Sequence, residues 1–309
     1  MAGVLESVNQ RTKLVGENRL ELLLFRVSGR QIYGINVFKV KEVLQCPKLT
    51  VLPGSNPVVR GVAHIRSGTI PIMDMSLATG NAPLQDIQNA FVIITEYNGK
   101  TQGFLVAGVE RIINMNWESI HPPPKGTGRE HYLTAVTEVD KVLVEIIDVE
   151  KILAEVSPVN ETIRDGIIDD GVKSRASARK VLIVDDSKIA RKQVSRCLEN
   201  VGVEVVALND GHQAWEHVQA IADSGERLQD HYMMLISDIE MPEMDGYTLT
   251  TRIRSDSRMA GFYIVLHSSL SGVFNKAMVE KVGADDFIAK FDPDVLAEQV
   301  VRQVNAGSQ

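Results

Sequence analysis

The sequence predicts a multidomain chain: an all-β first half, folded as a barrel or paired barrels, followed by an α/β half doubly wound on five parallel strands. Three observations carry this. Before about residue 150, short β-branched runs are separated by two-residue turn signals. After residue 180, compact apolar strands alternate with stretches long enough for crossover helices. Between them the chain turns polar and offers little to bury. Length agrees, since 309 residues suit two domains of ordinary size.

In the first half, residues 20–27 and 31–37 flank Ser28-Gly29, residues 58–65 and 69–75 flank Ser67-Gly68, and residues 91–97 and 101–107 flank Asn98-Gly99. Glycine supplies the positive φ of a tight hairpin turn, so these runs should pair antiparallel. Residues 133–139 and 141–147 add a further pair. So many short strands would expose their edges unless the sheets close, which is why a double β-barrel is expected. Residues 39–44 fit either a strand extension or one helical turn. The expected domain boundaries are 1–154 for this half, 155–179 for a linker and 180–309 for the α/β half. The linker is read as mobile, with Ile163, Ile167 and Ile168 leaving a short docking helix as the alternative.

In the second half the strands are residues 181–184, 204–208, 233–237, 263–268 and 286–290. Ser187 and Asp210 sit where helix N-caps belong, and Asp292-Pro293 places a cap before a proline at the first helical position. Residues 223–231 should lengthen the second helix or form a surface loop away from the strand ends.

The chemistry lies at the C-terminal ends of those strands, which share one crevice in an open parallel sheet. Asp185 and Asp186 follow the first strand and Asp238 the third, Ser268 ends the fourth, and Lys290 ends the fifth. Three gathered carboxylates repel one another unless a hard cation joins them. Oxygen ligands without thiolate or imidazole point to Mg²⁺, which keeps waters and accepts phosphate oxygens. With charge neutralised, one carboxylate can attack a phosphoryl donor, Lys290 pairing with a phosphoryl oxygen and the Ser268 hydroxyl donating to another. Singly, each residue has a plainer use: the Asp pair as a helix cap, Asp238 as the start of the turn at 241–246, Ser268 as a strand-end hydroxyl, Lys290 as a solvated charge. Their joint arrival at successive strand ends favours the functional reading.

Composition excludes several classes. A net charge of −7 argues against generic nucleic-acid or anionic-membrane binding. Cys46 and Cys197 are too few and too far apart for a disulfide framework or thiolate metal site. No secretory leader or bilayer-length apolar run is apparent, so a cytoplasmic protein with no direct membrane insertion is expected. His64, His121 and His131 lack ligand spacing, Pro122 to Pro124 read as a stiff loop, and Trp117 as a core or rim anchor. The first half holds no convergent acid, base and nucleophile set, and no helix-turn-helix or basic cluster accompanies the second, so neither an enzyme nor a DNA-binding regulator is expected.

The residues from 180 to about 304 resemble the receiver domain of two-component response regulators, a flavodoxin-like fold. The resemblance lies in Val181-Leu-Ile-Val-Asp-Asp-Ser187, Ile236-Ser-Asp-Ile-Glu-Met-Pro-Glu-Met-Asp-Gly246 and Gly283-Ala-Asp-Asp-Phe-Ile-Ala-Lys290. It implies that Asp238 is the phosphoacceptor, that Asp185, Asp186, Asp238 and the backbone carbonyl of Glu240 hold Mg²⁺, and that Ser268 and Phe287 are the switch pair. Phe291 stands where a proline is usual, and Glu240 places an acid two residues after the acceptor, where it bears on attack by water at the phosphoryl group.

Residues 22 to about 153 look like a CheW-type chemotaxis coupling domain, through Tyr33-Gly-Ile-Asn-Val-Phe-Lys-Val-Lys-Glu-Val43, Pro53-Gly-Ser-Asn-Pro-Val-Val-Arg-Gly61 and Ile65-Arg-Ser-Gly-Thr-Ile-Pro-Ile-Met-Asp74. That resemblance implies two small β-barrels and puts Val40, Glu42 and Arg66 at a partner-binding surface, with the turn after Arg66 one residue longer than usual. A coupling domain fused to a receiver is the arrangement of CheV-type proteins. It implies a cytoplasmic adaptor at membrane-bound chemoreceptor arrays, joining chemoreceptor tips to the histidine kinase CheA beside other coupling proteins, and regulated by phosphorylation at Asp238. The alternative is a phosphate sink that drains CheA. Beyond accepting a phosphoryl group and promoting its loss, no catalysis is expected.

Overall fold

The computed structural model describes residues 19–66, 68–97, 100–116, 119–121, 133–156, 162–241, 243–268 and 273–306. Two compact units part near residue 160. Trp117, Pro122 to Pro124 and His131 lie outside the described residues.

The first unit runs β1 (Arg19–Arg26), β2 (Ile32–Asn36), a 3-10 turn (Val37–Lys39), β3 (Val40–Gln45), β4 (Val59–Ile65), β5 (Gly68–Asp74) and α1 (Met75–Ala78). It continues through β6 (Phe91–Tyr97), β7 (Lys100–Val106), β8 (Gly108–Asn116), β9 (Ile120–His121), β10 (Leu133–Val139), β11 (Val142–Ile147) and α2 (Val149–Val156). The strands form two sheets, ordered β8-β1-β2-β11-β10-β9 and β3-β6-β7-β5-β4. The four hairpins read from sequence are present as antiparallel pairs, and of residues 39–44 all but Lys39 are strand, in β3, with Lys39 closing the 3-10 turn that leads into it. Strands β8 and β9 were not foreseen, β8 because its outward residues break the apolar run. Asp140 and Lys141 both take positive φ, which two-residue turns of the I′ kind require, so β11 starts one residue later than expected.

Why β1 reads Leu-Leu-Leu-Phe without alternation is now clear: both of its faces are covered. Leu20, Leu22 and Leu24 pack with Val144 and Ile146 of their own sheet, whereas Leu23 and Phe25 enter a core shared with Ile93, Phe104 and Val106 of the second sheet. Val92, Ile94 and Leu105 turn the other way, into the second sheet's own core with Ala63, Ile70 and Ile72. Three cores thus follow from period-two side-chain alternation on doubly buried strands. Each Leu, Ile or Phe in them contributes about 1.5–3 kcal/mol by leaving water. Packing is tight at Gly103, where an added Cβ would stand 2.5 Å from Val92 Cγ1.

The second unit runs α3 (Asp170–Ala176), β12 (Lys180–Val184), α4 (Lys188–Val201), β13 (Glu204–Leu208), α5 (Gly211–Asp223), α6 (Leu228–His231), β14 (Met234–Asp238) and α7 (Gly246–Ser255). β15 (Ile264–Ser268), α8 (Val273–Val282), β16 (Asp286–Ala289) and α9 (Pro293–Ala306) complete it. Its sheet is parallel throughout, in the order β13-β12-β14-β15-β16. The order reverses at β12, so a crevice opens between the C-terminal ends of β12 and β14. Side chains of Ser187 and Asp210 cap α4 and α5, and Asp292 accepts from the first turn of α9. The long connection after α5 holds the short helix α6.

The linker expected over 155–179 is not one featureless segment. Helix α2 runs to Val156, with Ile152 and Leu153 buried in the shared core of the first unit. Helix α3 forms where Val172 and Ala176, four residues apart, bury one face; Ile163, Ile167 and Ile168 lie ahead of it, partly buried outside any helix. Among the described residues no helix is long and apolar enough to cross a membrane.

Candidate functional site

Each side chain of the crevice is set by the end of a strand. β12 is buried from Val181 to Val184, and the chain leaves it through Asp185, Asp186 and the helix cap Ser187. Asp238 is the last residue of β14, opposite His267 on β15; Ser268 ends β15, and Lys290 follows β16. Lys290 donates its backbone N–H to the Ser268 carbonyl at 2.7 Å, tying the last two strand ends together.

Oxygen atoms of Asp185, Asp186 and Asp238 all lie within 4.8 Å of one another. The Lys290 ammonium reaches Asp185 Oδ2 at 2.6 Å and Asp238 Oδ2 at 2.9 Å. Asp185, Asp238, Ser268 and Lys290 are buried and Asp186 is exposed, so one carboxylate faces water at the mouth of the cluster. Burial pushes the Asp238 carboxyl well above the ordinary carboxylate range; Lys290 pulls it down, while Asp185, Asp186 and Glu240 push it further up. The cluster therefore lacks positive charge, as a site for a hard divalent cation does.

Backbone groups hold the acids in place. Ser187 N–H donates to Asp185 Oδ1 and Ile239 N–H to Asp238 Oδ1, each at 2.8 Å, which leaves Oδ2 of both for Lys290 and the crevice. The Arg191 guanidinium donates to the Asp185 carbonyl from the first turn of α4. The loop after β14 folds back so closely that a Cβ at Gly246 would stand 2.2 Å from the Asp238 carbonyl oxygen, and Gly246 N–H donates to Ile239 O at 2.9 Å. Asp245 caps α7 through Thr248 N–H. Glu240 is partly buried beside Asp238. Phe287 sits next to Leu266 in the register and packs with Ile239, Tyr247, Met278 and Val279, on the helix side of β15 and β16.

The structure thus brings together the three carboxylates and the ammonium named from sequence, and ties Ser268 to Lys290 through the backbone of the adjoining strand end. Two neighbours were missed. Arg191 falls in a helix pattern and carries no motif; its signal was its place one turn after the Ser187 cap. His267 is buried with no hydrogen-bond partner for its Nε2, and burial followed by Lys290 keeps the imidazole well below its usual range, hence neutral. Its signal was an ionisable residue inside an apolar strand. The Lys290–Phe291 peptide is trans.

In the first unit, Arg66 Nη2 lies 2.6 Å from Glu42 Oε2. Glu42 belongs to β3 and Arg66 directly follows β4, the two outer strands of their sheet, so this pair spans a sheet curled until its edges meet. Arg111 on the edge strand β8 pairs with Asp140 in the turn after β10. Arg66 is 78% exposed and takes a positive φ in the turn, whereas Val40 packs against the shared core. Val43 on β3 and Val51 and Leu52, near Thr50 where it bridges β4, are exposed large apolar residues along the same two edges.

Comparison with known proteins agrees with both halves. Residues 21–157 match the CheW-like domain family and residues 181–301 the response regulator receiver domain family. The chain is 32% identical to Chemotaxis protein CheV3 of Helicobacter pylori over 92% of its own length and 94% of the relative's, and 28% identical to Chemotaxis protein CheV1 of that organism over 98% of each. Chemotaxis protein CheW of Klebsiella aerogenes is 28% identical over 44% of this chain and 84% of its own. Matched from end to end by such relatives, the chain belongs to the CheV family, chemotaxis coupling adaptors that carry a CheW-like domain followed by a receiver domain.

Proposed function

We propose that this coupling adaptor is regulated by a phosphoryl group that Asp238 takes from the histidine kinase CheA. The observation that carries the reading is a single buried ammonium, Lys290, shared by Asp185 and Asp238 within a three-carboxylate cluster. Asp238 Oδ2 would attack the phosphorus of a phosphohistidine; the new O–P bond forms as the P–N bond breaks, and the imidazole leaves with the electron pair. Lys290 favours the ionised form of Asp238 against the opposing pull of burial, and offers its N–H groups to the phosphoryl oxygens after transfer. The Ser268 hydroxyl, one strand over, is the second donor within the crevice.

Asp185, Asp186, Asp238 and the Glu240 carbonyl would hold Mg²⁺, and the gathered carboxylate oxygens suit a hard cation. When bound, the metal supplies charge neutralisation for the carboxylates and the transferring group. Ser268 and Phe287 would then carry the change of state to the face made by β15 and β16. Glu240 sets an acid beside the acyl phosphate, where it opposes or guides the approach of hydrolytic water.

The first unit supplies the docking surface. Glu42, Arg66 and the neighbouring Val40 would face CheA and chemoreceptor tips, with other coupling proteins of the membrane-bound array alongside. The exposed Val43, Val51 and Leu52 give that face apolar area to bury against a protein partner. A phosphate sink has less support, because the relatives matched along the whole chain carry the coupling domain as well. Transfer of labelled phosphate from CheA to the wild type and to Asp238→Asn tests the reading: label on the wild type alone is expected, and equal labelling of both contradicts it.

A further inference from the structure

Helices α4 and α9 both leave the acidic crevice. α4 starts at Lys188, directly after Asp185, Asp186 and the cap Ser187, and α9 starts at Pro293, three residues past Lys290. The segment preceding the sheet lies across these two helices. α3 touches both and buries Val172 and Ala176 to 3% and 0% exposure, and Gly202 at the end of α4 closes against the Lys173 carbonyl. It is pinned at both ends of α9. Arg164 donates its backbone N–H to Asp294 Oδ1 at 2.7 Å and its guanidinium to Asp294 Oδ2, and Arg175 donates to Asn305 Oδ1 at 2.9 Å. Both pairings run in the same chain direction, so the segment is held against the first turn of α9 at one end and its last turn at the other.

We propose that residues 162–177 are a strap, docked on α4 and α9 in the unmodified chain and released when a phosphoryl group sits on Asp238, which passes the state of the crevice to the coupling domain that precedes it. This rests on the phosphorylation reading above. Lys290 spans Asp185 and Asp238 in the resting geometry, and a phosphoryl group competes for its ammonium. Between Lys290 and the strap's anchor at Asp294 stand only Phe291, Asp292 and Pro293. Phe291 is buried and the Pro293 carbonyl accepts from Cys197 Sγ of α4 at 3.4 Å, so a shift at Lys290 has little slack to absorb it. The two bonds from Arg164 to Asp294 fit the unmodified position, and moving the start of α9 weakens both. Coupling of this kind is reciprocal, so loosening the strap favours the modified geometry by the same factor.

The test uses the full chain with Mg²⁺ and beryllofluoride, which stands in for a phosphoryl group on an aspartate, followed by amide hydrogen exchange. Amides of residues 164–177 should exchange about fivefold faster or more once the mimic is bound, and Arg164→Ala should bind the mimic tighter by a similar factor. Mimic binding with unchanged exchange in the strap and unchanged affinity in Arg164→Ala overturns the strap alone. Failure of the wild type to bind the mimic in a Mg²⁺-dependent way overturns the phosphorylation reading, and the strap with it.

Discussion

The ammonium of Lys290 stands 2.9 Å from Asp238 Oδ2, with both side chains almost shut off from water. A buried ion pair is expensive to break from one side, because the surviving charge stays buried without compensation. Lys290→Met should therefore cost about 3 kcal/mol of stability in metal-free buffer, and added Mg²⁺ should restore part of it by taking over the neutralising role. Urea denaturation with and without magnesium measures both effects; a Mg²⁺-insensitive variant as stable as the wild type would argue against a shared cation at this position.

Metal binding should grade with burial in the acid cluster. Asp185 is buried and oriented by Ser187 N–H, whereas Asp186 lies at the exposed mouth. Asp185→Asn is expected to weaken Mg²⁺ binding by about a hundredfold and Asp186→Asn by about tenfold, in keeping with loss of a buried against a solvated anionic ligand. Calorimetric titration of Mg²⁺ gives both constants, and chelator should return each protein to its metal-free stability.

Gly246 has no room for a side chain, since its Cβ would fall 2.2 Å from the Asp238 carbonyl oxygen. Backbone must shift to admit even a methyl group, at a cost of about 1–3 kcal/mol, and the shift moves the acceptor itself. Gly246→Ala should therefore lose phosphoryl transfer as well as stability, whereas Gly225→Ala, strained by its positive φ but in open space just past the end of α5, should lose stability and leave transfer intact. Parallel melting and transfer assays separate the two effects.

Glu42 and Arg66 join the two edges of a closed sheet, but Arg66 is largely solvated. Exposed pairs contribute about 1 kcal/mol or less, so Glu42→Ala and Arg66→Ala should melt close to the wild type. Binding to the regulatory domain of CheA or to receptor tips should fall about tenfold or more if this surface docks. Unchanged affinity in both variants would move the docking surface elsewhere on the unit.

His217 on α5 shares a 2.7 Å hydrogen bond with the Tyr232 hydroxyl, and burial, then His231, lowers its pKa. The folded state thus resists the proton that the unfolded chain accepts. Stability is unaffected above the ordinary histidine range near ~6.5 and falls as pH drops below it, until the depressed folded value is reached. His217→Gln should flatten that part of the stability curve, as read by denaturation between neutral and mildly acidic pH.

Much of this was legible in the residues. The hairpin turn at Ser28-Gly29, the antiparallel pairing of β6 with β7, the caps Ser187 and Asp210, and the five parallel strands follow from local rules of backbone conformation and burial. The acid cluster was legible because strand C-termini converge in any doubly wound sheet, so sequence position alone located Asp185, Asp238 and Lys290. Hidden parts depend on tertiary packing. β8 is held by its partner β1, not by its own pattern. Helix α3 needs α4 and α9 to cover Val172 and Ala176, two apolar residues too few to signal a helix in a polar stretch. Closure of the sheet at Glu42 and Arg66 brings together β3 and its next neighbour in the chain, β4, which the sheet order sets at opposite edges, and no local pattern shows that order.

The most direct test of the central claim is kinase output in reconstituted receptor–CheA complexes containing either the wild type or Asp238→Asn. With phosphoryl groups available, the wild type should take up label and shift kinase activity over time, while Asp238→Asn holds it constant. Identical output from the two proteins, despite labelling of the wild type, would contradict regulation through Asp238.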